Sequence, residues 1–273
     1  VVDENRTLSF FGLQKINENP CNGLKAILEQ SKQNLPIKMS SLVFTVSPRI
    51  NAAGRMDDAK KAVQLFIEKD LTNARAIASL LQQDNLDRRE ADSTITEEAL
   101  AQIENDPNHT QKKSSVVFQA HWHKGVVGIV ASRLIEKHYK PTIVLTQSGE
   151  VIAGSARSVQ GFNLYEALHA CRAYLLGYGG HFAAAGMTLA LDQLEAFKEA
   201  FEQSVAERIT EEQLTPEITI NSVLPLDNIN MNFWCIFHSC HLIIKEIILF
   251  YCSVFCGNFP KQSYRHSKNC ITF

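Results

Sequence analysis

Val116–Thr146 reads VVFQAHWHKGVVGIVASRLIEKHYKPTIVLT. Val116–Ala120 is a short β-prone run, and Val126, Val127, Val130, Ala131 and Leu134 recur at helical spacing up to His138. Thr142–Thr146 is a second β-prone run. A strand, a helix and a strand in close succession are the unit of an α/β fold. Downstream, Ser148-Gly149-Glu150 is a turn and Val151–Ala156 a strand. Leu164–Cys171 reads as a helix, Met187–Ala190 as a strand and Leu194–Ile209 as an amphipathic helix. This order predicts helices covering a mixed sheet.

Upstream, Asn105-Asp106-Pro107 ends a different texture. From Asp57 to Glu104 nearly every residue is a helix former, with apolar positions at Ala62, Val63, Phe66 and Ile67, then Ile77, Leu80 and Leu81, then Ile95, Ala99, Leu100 and Ile103. A break at Asp70–Thr72, with Thr72 as N-cap, separates a short helix from a long one over 73–104. At 1.5 Å per residue the long helix spans roughly 50 Å. Its middle, Gln82–Glu90, is almost wholly polar, as in a helix that bridges two domains. Leu42–Val46 reads as a buried strand leading into Ser47–Asp58, and residues 8–31 as helical with a turn at Asn17–Asn22. Pro216–Asn221 reads as the start of a new strand.

The chain has 273 residues, 27 basic and 29 acidic, for a net charge of −2. That excludes a strongly basic nucleic-acid coat but leaves room for a local basic groove. With 45% hydrophobic and 21% charged residues, the composition is that of a folded chain. The opening Val1–Arg6 is polar too early for a signal peptide and lacks an initiator Met, so the expectation is a piece of a longer, cytoplasmic protein. Of seven cysteines, five lie between Cys235 and Cys270. Cys252 and Cys256 with His238 and His241 raise a metal site, but no second cysteine pair at zinc spacing accompanies them. Leu242–Phe259 is apolar, yet Lys245 and Glu246 interrupt it as a membrane span. The composition changes abruptly near Trp234, as a frame error, a read-through or a truncation would produce.

Four motifs could carry chemistry. In Tyr178–Gly186 (YGGHFAAAG), Gly179 and Gly180 free the backbone for close approach, consecutive N–H groups can form an anion nest, and His181 can donate. The alternative is a tight turn with a surface histidine. In Gly154–Ser158 (GSARS), Arg157 between Ser155 and Ser158 suits phosphate or carboxylate, and its alternative is a solvated loop arginine. In Arg49–Arg55 (RINAAGR), Arg49, Asn51 and Arg55 flank a small-residue turn that opens a helix, where anions are favoured. The fourth, His121–Gly128, would need a third ligand to hold a metal and reads better as a strand-to-helix turn in which Gly128 allows close packing. Asp57 and Asp58 read as charge at a helix N-terminus rather than as a two-metal carboxylate cluster.

Together, in this order, Ser47–Asp58, His121–Arg133, Gly154–Ser158 and Gly179–Gly186 resemble the DHH phosphoesterase family, and within it the single-strand-specific DNA exonucleases. The resemblance covers about residues 3–232. It implies an α/β fold with the end of a catalytic domain at 1–56, a helical interdomain connector at 57–105 and a mixed-sheet substrate-binding domain at 106–214. The start of an OB-fold strand would follow at 215–234 and an aberrant tail at 235–273. It also implies metal-dependent 5′→3′ hydrolysis of single-stranded DNA in repair and recombination. Mn²⁺ or Mg²⁺ would be bound by an Asp-His-His-bearing N-terminal domain, and this sequence contains no Asp-His-His. The chain would then carry no catalytic and no metal-binding residue, and would be inactive alone. Arg49, Asn51, Arg55, Ser155, Arg157, Ser158, Gly179, Gly180 and His181 would hold the phosphates of a 5′ end. The expected protein is a monomer with no membrane partner. The competing readings are a small-dinucleotide phosphodiesterase of the same superfamily and a non-catalytic nucleic-acid-binding module.

Overall fold

The computed structural model describes residues 3–218 and 230–233. Of these, Pro20–Pro36 and Ser40–Thr215 form one compact unit, and residues 3–19, 37–39 and those from Pro216 on form another. In the smaller unit, α1 (Asp3–Glu18) buries no residue, and Asn17 exchanges two hydrogen bonds with the backbone of Ile37.

The larger unit begins with helices. After α2 (Asn22–Gln30), a short α3 (Met39–Ser41) leads through a π-helical turn, Leu42–Val46, into α4 (Ser47–Met56). The strand expected at Leu42–Val46 is therefore helical, with Val43 and Phe44 exposed. Five apolar residues are too few for periodicity to separate a strand from a helix segment. Pro48, which has no N–H to donate, sits in the first turn of α4 just where the wider π spacing ends. The turn expected at Arg49–Arg55 is the body of that helix, whose Ala52 and Ala53 are fully buried.

Next come α5 (Lys60–Ile67) and the 34-residue α6 (Leu71–Glu104). Asp70, not Thr72, caps α6, its side chain accepting from Asn73 N at 2.9 Å. Asp58 likewise accepts from Lys60 N at the start of α5, as its reading as helix-terminal charge expects. The first half of α6 packs on α2, α4 and α5 through Ala74, Ala78 and Leu81. Its second half joins an apolar cluster with Val117, Val130, Ala131, Leu134 and Val144 through Ile95, Ala99 and Ile103. The helix thus belongs to two layers.

The sheet has five strands in the order β1-β2-β3-β5-β4. They are β1 (Ser115–Gln119), β2 (Thr142–Ser148), β3 (Val151–Arg157), β4 (Gly177–Gly180) and β5 (Ala184–Ala190). The β1–β2 pair, joined through α7 (Val127–His138), is parallel, and the other pairs are antiparallel. The mixed α/β architecture is that read from the sequence. β4 and the first half of β5 were not read as strands, because glycine and alanine carry no β signal. Alternation splits the layers. Val117 and Val144 face α6 and α7, whereas Ile143, Leu145, Ile152 and Leu189 face α8 (Leu164–Ala170) and α9 (Leu194–Ala206). Of the strand expected at Pro216–Asn221, residues 216–218 are described and carry no strand, while its remainder, the cysteine-rich segment from Cys235 and the apolar stretch Leu242–Phe259 lie outside the described residues.

Candidate functional site

Register determines what lies beside Arg157. On β3, Ala153, Ser155 and Arg157 point to the α7 side, and Ser155 pairs with Gly186, which pairs with Gly179. One row across three strands is therefore Ser155–Gly186–Gly179, and the next is Ala153–Thr188–Gly177. Towards its β4 edge the sheet becomes a floor of bare backbone. A cleft of about 580 Å³ lies on this floor, walled by Gly54 and Arg55 from the end of α4 and by the segment from Lys124 to Gly128.

The walls approach closely because two residues lack side chains. A Cβ on Gly125 would lie 2.0 Å from the Arg55 carbonyl oxygen, so this glycine lets the end of α4 touch the loop before α7. There Arg55 Nη1 donates back to the Gly125 carbonyl at 3.3 Å. A Cβ on Gly128 would lie 3.1 Å from both Arg157 Nη2 and Ser155 Oγ. Gly128 thus brings the first turn of α7 onto Arg157. The backbone N–H groups of Val127 and Gly128 have no acceptor among the described residues. Two free N–H groups at the positive end of a twelve-residue helix, beside a guanidinium and a hydroxyl, are donors of the kind that an anion takes.

Arg157 Nη1 donates to Ser155 Oγ at 2.9 Å and to the Ala156 carbonyl at 2.8 Å. Ser155 accepts that bond, so its own O–H remains available to a ligand oxygen. Burial, and then the like charge of Arg55, push the Arg157 guanidinium below its ordinary value. Both act against the cation, and neither Arg157 nor Arg55 has a carboxylate within salt-bridge distance among the described residues. Arg55 also acts on Arg88, which burial first and then Arg55, Arg89 and Arg133 push down, with Asp92 opposing. A guanidinium remains charged under these conditions, so the cleft is a cationic hollow whose complement is an anion.

The structure brings Arg55, Ser155 and Arg157 together and sets Gly179 in the floor row. Asn51 is exposed one helical turn before Arg55 on the same face of α4. Arg49 is turned elsewhere: it donates to the Thr45 carbonyl, and burial and Arg89 push it down. Ser158 is spent on the loop, its hydroxyl donating to the Phe162 carbonyl at 2.8 Å. Gly180 belongs to the hairpin, where a Cβ would lie 2.4 Å from the Ala184 carbonyl oxygen. His181 is exposed at the hairpin tip, with its N–H donating to Ala184 and its Nδ1 accepting from Ala183 N. The tight-turn reading describes these last two residues better than the nest.

Sequence reasoning missed Lys124, Tyr178, Gly186 and Thr188 as lining residues, and only cross-strand register could have placed the last two. His121 and Trp122 both bond the Glu98 carboxylate, at 2.9 and 2.7 Å, and His123 Nδ1 accepts from Gly125 N at 3.1 Å. No three His, Cys, Asp or Glu side chains among the described residues converge to hold a metal.

Residues 111–207 match the model of the DHHA1 domain. The chain is 35% identical over 232 residues to the single-stranded-DNA-specific exonuclease RecJ of Bacillus subtilis, an alignment that takes in 84% of this chain and 29% of that protein. Against RecJ of Escherichia coli it is 33% identical over 229 residues, 81% of this chain and 40% of the other. Among solved structures, RecJ of Thermus thermophilus in complex with Mn²⁺ superposes with a TM-score of 0.70 at 31% identity, covering 81% of this chain and 32% of that one. The chain therefore spans less than half the length of these relatives.

Proposed function

We propose that this chain, which belongs by its DHHA1 domain and its RecJ likeness among the DHH phosphoesterases, is the strand-gripping part of a single-stranded-DNA exonuclease. Its work is to seize a terminal phosphate and the first nucleotides of a single strand and to orient them for hydrolysis from the 5′ end. The observation that carries this reading is the nearness of Arg157 and Arg55 over a glycine floor, with no carboxylate among the described residues within salt-bridge distance of either and with the first turn of α7 at the same space.

Each part has a physical task. The Arg157 fork and the Ser155 hydroxyl donate to phosphate oxygens, and the N–H groups of Val127 and Gly128 add donors and the helix dipole. Arg55 closes the hollow from the α4 side. Gly177, Gly179 and Gly186 leave room for a sugar–phosphate chain to lie on the sheet. Mg²⁺ and Mn²⁺ are bound in the solved Thermus RecJ structures, and in this reading the cleft holds the strand while metal held elsewhere in the whole protein supplies the hydrolytic chemistry. In this reading the chain acts as a cytoplasmic monomer in repair and recombination. No described helix is long and apolar enough to cross a membrane.

Fluorescence anisotropy with a labelled, 5′-phosphorylated oligonucleotide tests the proposal. Binding is expected in the non-specific range, about 10⁻⁴–10⁻⁶ M, falling steeply with salt. Arg157→Ala should weaken it more than Lys124→Ala, because the first removes a fork and the second an exposed charge that reaches only Ser148 Oγ, at 3.5 Å. Equal effects, or binding indifferent to salt, would place the phosphate elsewhere. The chain alone should release no nucleotides in manganese buffer, and release that co-purifies with it would overturn that part.

A further inference from the structure

The other face of the sheet carries a second hollow, of about 440 Å³, lined by Tyr165, Glu166, His169, Ala170, Arg172 and Arg208. Two of its lining residues, Tyr165 and His169, belong to a cluster of three rings. Tyr165 and His169, one turn apart on α8, lie nearly parallel, with centroids 6.3 Å apart and 19° between planes. Tyr178 reaches both from β4, at 5.9 Å from Tyr165 and 6.1 Å from His169. Its hydroxyl and His169 Nδ1 share a 2.6 Å hydrogen bond, which orients both rings before any ligand arrives. Tyr165 is 40% exposed, so part of its ring is open to solvent.

The rim is polar. Arg172 donates to the His169 carbonyl at 3.2 Å, and Arg208 to the Ser204 carbonyl and hydroxyl at 2.8 and 3.0 Å. Arg208 also approaches Glu207 at 3.5 Å. A guanidinium has five N–H donors, so both arginines keep donors for an incoming oxygen. Glu166 adds one acceptor.

We infer that this hollow is a base-stacking site for a nucleotide of a single strand, the base against Tyr165 and His169 and its phosphate at Arg172 and Arg208. Planar aromatic faces beside guanidinium groups are the chemistry that holds unpaired nucleotides. The place in the fold fits as well. β4 is an edge strand: its Gly177 lines the phosphate cleft, Gly179 shares a row with Gly186, and Tyr178, which also lines that cleft, sets its ring against Tyr165 and His169. Arg157 stands on β3, two strands in from that edge, so a chain running from it to the edge covers about 10 Å before it turns. That the occupant is nucleic acid rests on the proposed function; the geometry of the ring cluster does not.

The test is an NMR titration of the isotope-labelled full chain with a 5′-phosphorylated thymidine hexanucleotide. Amide shifts are expected at 165–172 as well as at 153–157. Tyr165→Ala should weaken the response at 165–172 by at least about five-fold, the lower end for loss of one stacked base, and Tyr165→Phe should preserve it. Shifts confined to 153–157, no shifts at either place, or an unchanged response in Tyr165→Ala would each overturn the inference. Shifts at 165–172 alone would sustain it and overturn the phosphate cleft instead.

Discussion

Gly128 shows how one absent side chain decides a site. A methyl group there would press on Arg157 and Ser155 at 3.1 Å, tighter than ordinary van der Waals contact, and would displace the guanidinium and hydroxyl from their places beside α7. Gly128→Ala is therefore expected to reduce affinity for a phosphorylated strand several-fold. The melting temperature should hold, because alanine is favoured over glycine in a helix by about 1 kcal/mol. Anisotropy and a thermal melt on the same sample separate the two effects, and unchanged affinity would show that the anion does not reach α7. The sequence offered Arg157 as a phosphate candidate beside the alternative of a solvated loop arginine, and the structure sets it part-buried against Ser155. Ser158 was not separable from Ser155. Only alternation along β3, with Ser155 on the α7 side and Ser158 beyond the strand, distinguishes the hydroxyl that faces the cleft from the one that braces the loop.

Among the elements, α6 joins the helical layer to the sheet. Its N-terminus is held by Asp70, so Asp70→Ala should cost about 1 kcal/mol and Thr72→Ala much less. Urea melts of the two variants check this, and the reverse order would restore the threonine cap. The long helix itself was evident from its composition. Its cap was not, because Asp70 and Thr72 are both capping residue types two positions apart, and the backbone shows that Asp70 is the extended one. The opposite failure occurred at Leu42–Val46, where local hydrophobicity suggested a strand while the chain on both sides is helical. At the hairpin of β4 and β5, the glycines that make the cleft floor also erase the β signal that would have revealed it.

For the molecule as a whole, ionisation predicts an acid-sensitive fold. His138 is held below its ordinary value by burial first, then by His109, Lys140 and Lys137, with Glu104 opposing. A histidine with a lowered folded pKa is neutral in both states above its unfolded value of about 6.5. Below that pH the unfolded chain takes up the proton more readily, so stability is lost as pH falls through the folded value. Glu98, lowered chiefly by its bond from Trp122, and Asp106, lowered chiefly by Lys112, lose their contributions at more acid pH, below the ordinary carboxylate range. Thermal melts at successive pH values should therefore decline in two stages, the first beginning near pH 6.5. His138→Gln should flatten the first stage and leave the second. A decline in a single acid stage in the parent chain would remove His138 from the account.

Hydrophobic period, turn residues and the order of elements are local properties, and the sequence by itself determined them: the strand–helix–strand unit after Ser115, the long helix before it and the arginine at the end of β3. The cleft is not a local property. Ser155 meets Gly186, and Gly186 meets Gly179, only because three strands pair in one register, and Arg55 meets Gly125 only because a helix end docks across seventy residues of chain. Tertiary structure alone decided which of several arginines, serines and glycines face one another, because pairing and docking are settled by packing between segments rather than within them.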